Sequence, residues 1–274
     1  MKKIIIAFTG NHFSISAFEF IKKINQLQPV LVTGVFLPQY DFSNLWLFTE
    51  PISGQSFIPE IEEDEEEKRQ NNMEKFAALC KLADIQYKIH EDSRQLSVSA
   101  LIDESRFADL LIINSEKFYE YMGTDATNPS LKNALHHSEC PVLLLPEDFK
   151  FPERIVLAYD GSASSVYAIK QFAYLFPELS EKETILVYSN PETDTDFPNE
   201  EYIKELILQH YKNLRFMKLH IRTKAFFNEW ASGDKKTLVV SGSFGRPIAS
   251  QFFKSSFISD VVTRHQLPVF ITHK

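Results

Sequence analysis

A chain of 274 residues with 44% hydrophobic side chains and 24 phenylalanines carries enough apolar material for roughly two packed domains, and too much for a disordered chain. The formal charge is −8, from 29 basic against 37 acidic residues, and no basic stripe offsets it, which argues against nucleic acid and against an anionic membrane as partners. Cys80 and Cys140 suggest neither a disulfide framework nor a zinc site, so reduced thiols and a cytoplasmic location are expected.

The opening Met1-Lys2-Lys3-Ile4-Ile5-Ile6 starts like the charged end of a signal peptide, but its apolar run stops at Thr9-Gly10-Asn11-His12. That is too short for a signal core or a membrane span and fits a first buried strand. Further strands are predicted near residues 30–36, 86–90, 110–114 and 142–145. Between the second and third lies an aromatic insertion, about residues 38–59, with Tyr40, Phe42, Trp46, Phe48 and Phe57. It could cover the crevice of its own half, meet a partner subunit, or simply lie over its domain's surface.

The acidic run Glu60-Ile61-Glu62-Glu63-Asp64-Glu65-Glu66-Glu67 lacks the glycine and alternating ligands of a calcium loop, and reads as the solvated start of a helix over 68–82. His136, His137 and Cys140 sit close in sequence at a helix end, too few to converge on zinc. After a connection near residues 146–152, strands are predicted near 154–159, 184–188, 218–222, 237–241 and 269–272.

The two halves resemble each other. Ile4 to Asn11 lies on Ile155 to Ser162 without a gap, and the match runs on at helical spacing, pairing Ile15 with Val166, Phe18 with Ile169, Ile21 with Phe172 and Ile24 with Leu175. Leu110 to Ser115 matches Leu238 to Ser243, and Cys140-Pro141-Val142 matches Leu267-Pro268-Val269. Apolar runs alternating with helical stretches call for parallel βαβ crossovers. The expected architecture is therefore α/β, with two tandem doubly wound domains at 1–147 and 152–274. Ligands of such sheets bind beyond the carboxyl ends of the strands, where the strand order reverses. Thr9, Asp160 and the turn at Gly242 are candidates for that rim.

That turn is the most informative stretch. Gly242-Ser243-Phe244-Gly245-Arg246 follows an apolar strand, and nine residues separate Gly245 from Ser255-Ser256. Two glycines three apart let an anionic group approach the backbone, and the segment from Ser256 opens like a helix with hydroxyls beside its free N–H groups. The pattern resembles the nucleotide-binding signature of the universal stress protein family, Gly, two residues, Gly, nine residues, then Gly followed by Ser or Thr. Here Ser255 stands where the third glycine belongs. If that position needs only helical backbone, Ser is harmless; if it needs positive φ, Ser costs about 1 kcal/mol or blocks the approach.

The resemblance implies a five-stranded parallel sheet in each half and a pseudo-dimer paired through the final strands, with room for a further homodimer. It implies a stress or signalling module whose second half binds an ATP-type nucleotide with Mg. Tyr159 and Asp160 would line the ligand, Val187 or Tyr188 would face the base, and Gly242, Ser243, Phe244, Gly245 and Arg246 would line the phosphates. Ser255, Ser256 and Phe257 would complete the pocket. Asp160-Gly161-Ser162 is open to a second reading, a helix-entry turn that caps its own backbone donors.

The first half departs from the pattern. Thr9 replaces the Asp, Asn114 the first Gly, and Asn128-Pro129 the Gly-Ser pair, while only Gly123 remains among Phe118, Tyr119 and Tyr121. Proline removes an N–H that a phosphate would want, so no ATP is expected there; the aromatics could fill the crevice or shape a pocket for a more apolar ligand. His12 could contact such a ligand or be a plain surface residue. No Gly-x-Ser-x-Gly elbow and no nucleophile with an adjacent base can be assigned, so rapid turnover is not expected. The rival classes are a scaffold or small-ligand stress protein without nucleotide affinity, and an adenylating enzyme, which would want a Ser-Gly-Gly loop after its first strand.

Overall fold

The computed structural model describes residues 1–9, 12–37, 63–90, 98–115, 137–189, 197–219, 236–242 and 267–272. Among these residues ten strands form one sheet. In the first half they are β1 (Lys2–Thr9), β2 (Val30–Leu37), β3 (Gln86–His90), β4 (Leu110–Asn114) and β5 (Val142–Leu145). In the second they are β6 (Arg154–Tyr159), β7 (Glu183–Ser189), β8 (Asn213–Leu219), β9 (Thr237–Gly242) and β10 (Val269–Thr272).

The order across the sheet is β3-β2-β1-β4-β5-β10-β9-β6-β7-β8. Within each half every pairing is parallel and the order is the same, the third strand at the outer edge and the fifth at the centre. The halves meet where β5 and β10 pair antiparallel, Leu143 opposite Phe270. This is the tandem, doubly wound pseudo-dimer expected from the sequence, joined through the final strands.

Burial on both faces explains why the central strands are unbroken apolar runs. Ile4, Ile6 and Phe8 point to one face with Ile112, Leu143, Leu157, Val240 and Phe270. That face is covered by α1 (Ile15–Leu27), α2 (Glu63–Leu82), α4 (Ala163–Leu175) and α5 (Glu200–His210). Ile5, Ala7, Leu111, Val142, Val239 and Val269 point to the other face, against which α3 (Val98–Ser105) places Leu101.

Phenylalanine ties the halves together. Phe20 of α1 meets Phe176, just past α4, edge-on at 5.9 Å between centroids, and Phe149 and Phe151 of the connection pack on it at 6.1 and 5.7 Å. Phe270 of β10 closes the same cluster, 5.2 Å from Phe172.

Three expectations shift. Helix α2 begins at Glu63, not near 68, so part of the acidic run is helical, as its first-turn charge favours. Strand β8 lies at 213–219, not 218–222: it is the sheet's edge, with Asn213, Arg215, Phe216 and Lys218 exposed, and so lacks the apolar signature of a buried strand. The gap-free match of the halves holds for the strands and for the buried helix pairs Phe18 with Ile169 and Ile21 with Phe172, but not for the helix starts. The caps are Ser14 and Ser162, each accepting from the backbone N–H three residues on, whereas the strand alignment sets Ser14 opposite Ser165. Helix α1 thus starts three residues later than α4 relative to its strand, and Ile15, matched to Val166, is 46% exposed. The aromatic insertion lies outside the described residues.

Candidate functional site

Strand order reverses between β1 and β4 in the first half and between β6 and β9 in the second, so each half has a rim where a crevice opens beyond the strand ends. In the second half Tyr159 pairs with Tyr188 across β6 and β7, their rings 6.4 Å apart, and β9 delivers Gly242 to the neighbouring strand end. Val187 belongs to the opposite face of the sheet from Tyr188.

Tyr159, Val187 and Tyr188 are all buried. Two residues ahead of α5 cover the two tyrosines: Phe197 packs on Tyr188 at 5.5 Å, and the Pro198 carbonyl accepts a 2.6 Å hydrogen bond from the Tyr159 hydroxyl. Burial, reinforced by the adjoining Asp160 carboxylate, raises the Tyr159 pKa, so the phenol stays a donor. Asn199 follows in the left-handed region, at φ 51, which Asn tolerates better than most residues.

Asp160 is exposed, and its Oδ1 accepts from the Ser162 N–H at 2.8 Å, while Ser162 caps α4. Its capping role is thereby visible. Gly161 is required at this turn: its φ is +82, and a β-carbon there would meet Pro198 Cβ at 2.8 Å.

Gly242 also has a packing role. A β-carbon on it would meet the Ser164 carbonyl carbon and the Ser165 nitrogen at 2.5 Å, so only glycine lets the first turn of α4 settle on the end of β9. Gly242 is thus brought to the same strand-end level as Tyr159. Ser243, Phe244, Gly245, Arg246, Ser255, Ser256 and Phe257 lie outside the described residues.

The first half solves the same junction differently. Asn114 occupies the place of Gly242, and the later start of α1 leaves space for its side chain, which donates to Ser14 Oγ at 3.4 Å and to Glu147 Oε1. His12 Nε2 bonds the same Glu147 oxygen. Where the second half has Tyr159 and Tyr188, the first has Phe8 and Phe36, paired across β1 and β2 and stacked at 4.8 Å. Phe13 stacks on Phe8 at 4.8 Å, and Phe76 closes the group edge-on. These four phenylalanines belong to the hydrophobic core, whereas the residues singled out above, Phe118, Tyr119, Tyr121, Gly123, Asn128 and Pro129, lie outside the described residues. Glu147, Phe197 and Pro198 had no signal in the sequence, since each acts through a contact distant along the chain.

Among the described residues no group of three or more His, Cys, Asp or Glu side chains is placed to hold a metal ion, and no helix is long and apolar enough to cross a membrane. His137 is exposed and Cys140 buried; His136 lies outside the described residues.

A chain with two such halves sharing one sheet defines a tandem, doubly wound α/β protein. Its fold is that of universal stress proteins. A universal stress protein from Archaeoglobus fulgidus DSM 4304 superposes with a TM-score of 0.68 at 14% identity, the match covering 98% of this chain and 96% of that one. A putative universal stress protein from Pseudomonas aeruginosa UCBPP-PA14 gives 0.55 at 11% identity, covering 100% and 93%. No family model and no curated protein matches the sequence.

Proposed function

We propose that this is a cytoplasmic stress-response protein that works by binding rather than by turnover, and that its second-half rim receives an ATP-type nucleotide with Mg. The observation that carries this reading is the placement of Gly242 at the β9 strand end, beside the strand-order reversal and level with Tyr159. From that point the chain enters Ser243-Phe244-Gly245-Arg246, a sequence suited to a backbone cradle for phosphates. Asp160, exposed at the next strand end, would accept from a ribose hydroxyl.

A second reading, a scaffold or small-ligand protein without nucleotide affinity, is favoured by one observation. Phe197 and Pro198 occupy the ground over Tyr188 and Tyr159, where the base would rest.

Thermal melting with and without Mg-ATP separates the two. A nucleotide at 100 times its dissociation constant adds about 2.7 kcal/mol to stability. The nucleotide reading requires such a shift in the wild-type protein and its loss in Gly245→Asp. Equal melting in both proteins, with and without Mg-ATP, establishes the scaffold.

A further inference from the structure

The connection between the halves places a carboxylate against the first-half rim. Glu147 Oε1 accepts from Asn114 Nδ2, at the end of β4, and is bonded by His12 Nε2, in the turn between β1 and α1. Two donors from two separate segments thus converge on one oxygen of a third. Asn114 and Ser14 are buried, at 5% and 2% exposure, and Ser14 Oγ, the cap of α1, holds the Asn114 amide from behind.

Glu147 itself is tethered but not locked. Its side chain, like that of His12, is about one-quarter exposed, at 26%. The chain is anchored two residues later, where Phe149 packs on Phe20 of α1 and its N–H bonds the Pro146 carbonyl. The glutamate can therefore swing out while the connection stays docked.

We infer that His12 and Asn114 form a carboxylate-binding site that Glu147 fills from within, and that a small external carboxylate competes with Glu147 for it. Among the described residues the second half has no equivalent, because Gly242 stands where Asn114 supplies its amide. The site is independent of any nucleotide binding in the second half. Its occupation from outside would release the Glu147 side chain from His12 and Asn114 while Phe149 stays packed on Phe20.

Chemical rescue tests this. Glu147→Ala should lower the melting temperature, and acetate should restore it saturably, when sodium acetate is compared with sodium chloride at equal ionic strength. The wild-type protein should show a smaller response at the same acetate concentration, and His12→Ala/Glu147→Ala none. If Glu147→Ala does not fold, the readout is the wild-type His12 ring nitrogen by NMR. It should shift saturably with acetate and not with chloride. An acetate effect equal in all three proteins, no acetate effect on Glu147→Ala, or an unmoved His12 resonance in the wild type overturns the inference.

Discussion

The peptide that follows Ser164 lies against the α-carbon of Gly242, so close that an added β-carbon would stand 2.5 Å from the Ser164 carbonyl carbon. Backbone cannot withdraw as a side-chain tip can. Gly242→Ala should therefore push α4 off β9 and destabilise the protein by about 1–3 kcal/mol, the usual range for overpacking. Urea denaturation measures it, and an unchanged midpoint would refute the packing role. The first half bears Asn at this place because α1 begins later, so Asn114→Ala should bring no such clash.

The same pair shows how far the sequence could be read. Strands β1, β4, β6 and β9 are buried on both faces, and their continuous apolar runs gave their positions within a residue or so. Edge strand β8 carries no such run, which is why it was placed five residues too late. The turn at Gly242 was legible as a special backbone position, but its neighbour across the crevice was not. Ser164 comes from another element, as Phe197, Pro198 and Glu147 do at their sites, and such contacts leave no periodic trace.

Gly161 should be as intolerant as Gly242, for a different reason. Its φ of +82 strains any side chain, and Pro198 blocks the space a β-carbon would take. Gly161→Ala should cost at least about 1 kcal/mol. Because Pro198 sits just ahead of Asn199, the N-cap of α5, the variant should also weaken amide-exchange protection in the first turn of α5. Protection unchanged there would mean that Pro198 does not seat on Gly161.

Phe176 belongs to the second half yet meets Phe20 of the first, and it also touches Phe172 and Phe270. Truncation of so buried a ring costs about 3–5 kcal/mol. Phe176→Ala should show that loss in urea and should loosen the junction of the halves, so that two unfolding transitions replace one. A loss below about 1 kcal/mol with a single transition would mean that the β5–β10 pairing alone couples them.

Cys80 and Cys140 are buried, and burial pushes both thiols up to about 12 from 9.0. The folded state then holds protons that the unfolded state releases, so stability is full below pH 9 and declines as pH rises toward 12. Cys80→Ala/Cys140→Ala should show a shallower decline above pH 9. In the native wild-type protein at pH 8, neither thiol should react with a disulfide reagent until urea unfolds the chain. Prompt labelling of either thiol would contradict its burial.

Lys2 joins the halves by charge where Phe176 joins them by packing. Its ammonium donates to the Gln28 side chain and to the carbonyl of Leu175, the last residue of α4, and lies 5.8 Å from the centre of the Phe176 ring. Burial lowers its pKa from 10.5, outweighing the attraction of Glu178 and Asp109. Between the lowered value and 10.5 the unfolded chain binds the proton more tightly than the folded one, so this residue's contribution to stability rises with pH in that window. Measured by urea denaturation from pH 7 to 10.5, the stability of the wild-type protein relative to Lys2→Met should shift upward. A downward shift would mean that the bonds to Gln28 and Leu175 outweigh desolvation, and that Lys2 holds its charge more firmly in the folded protein than in water.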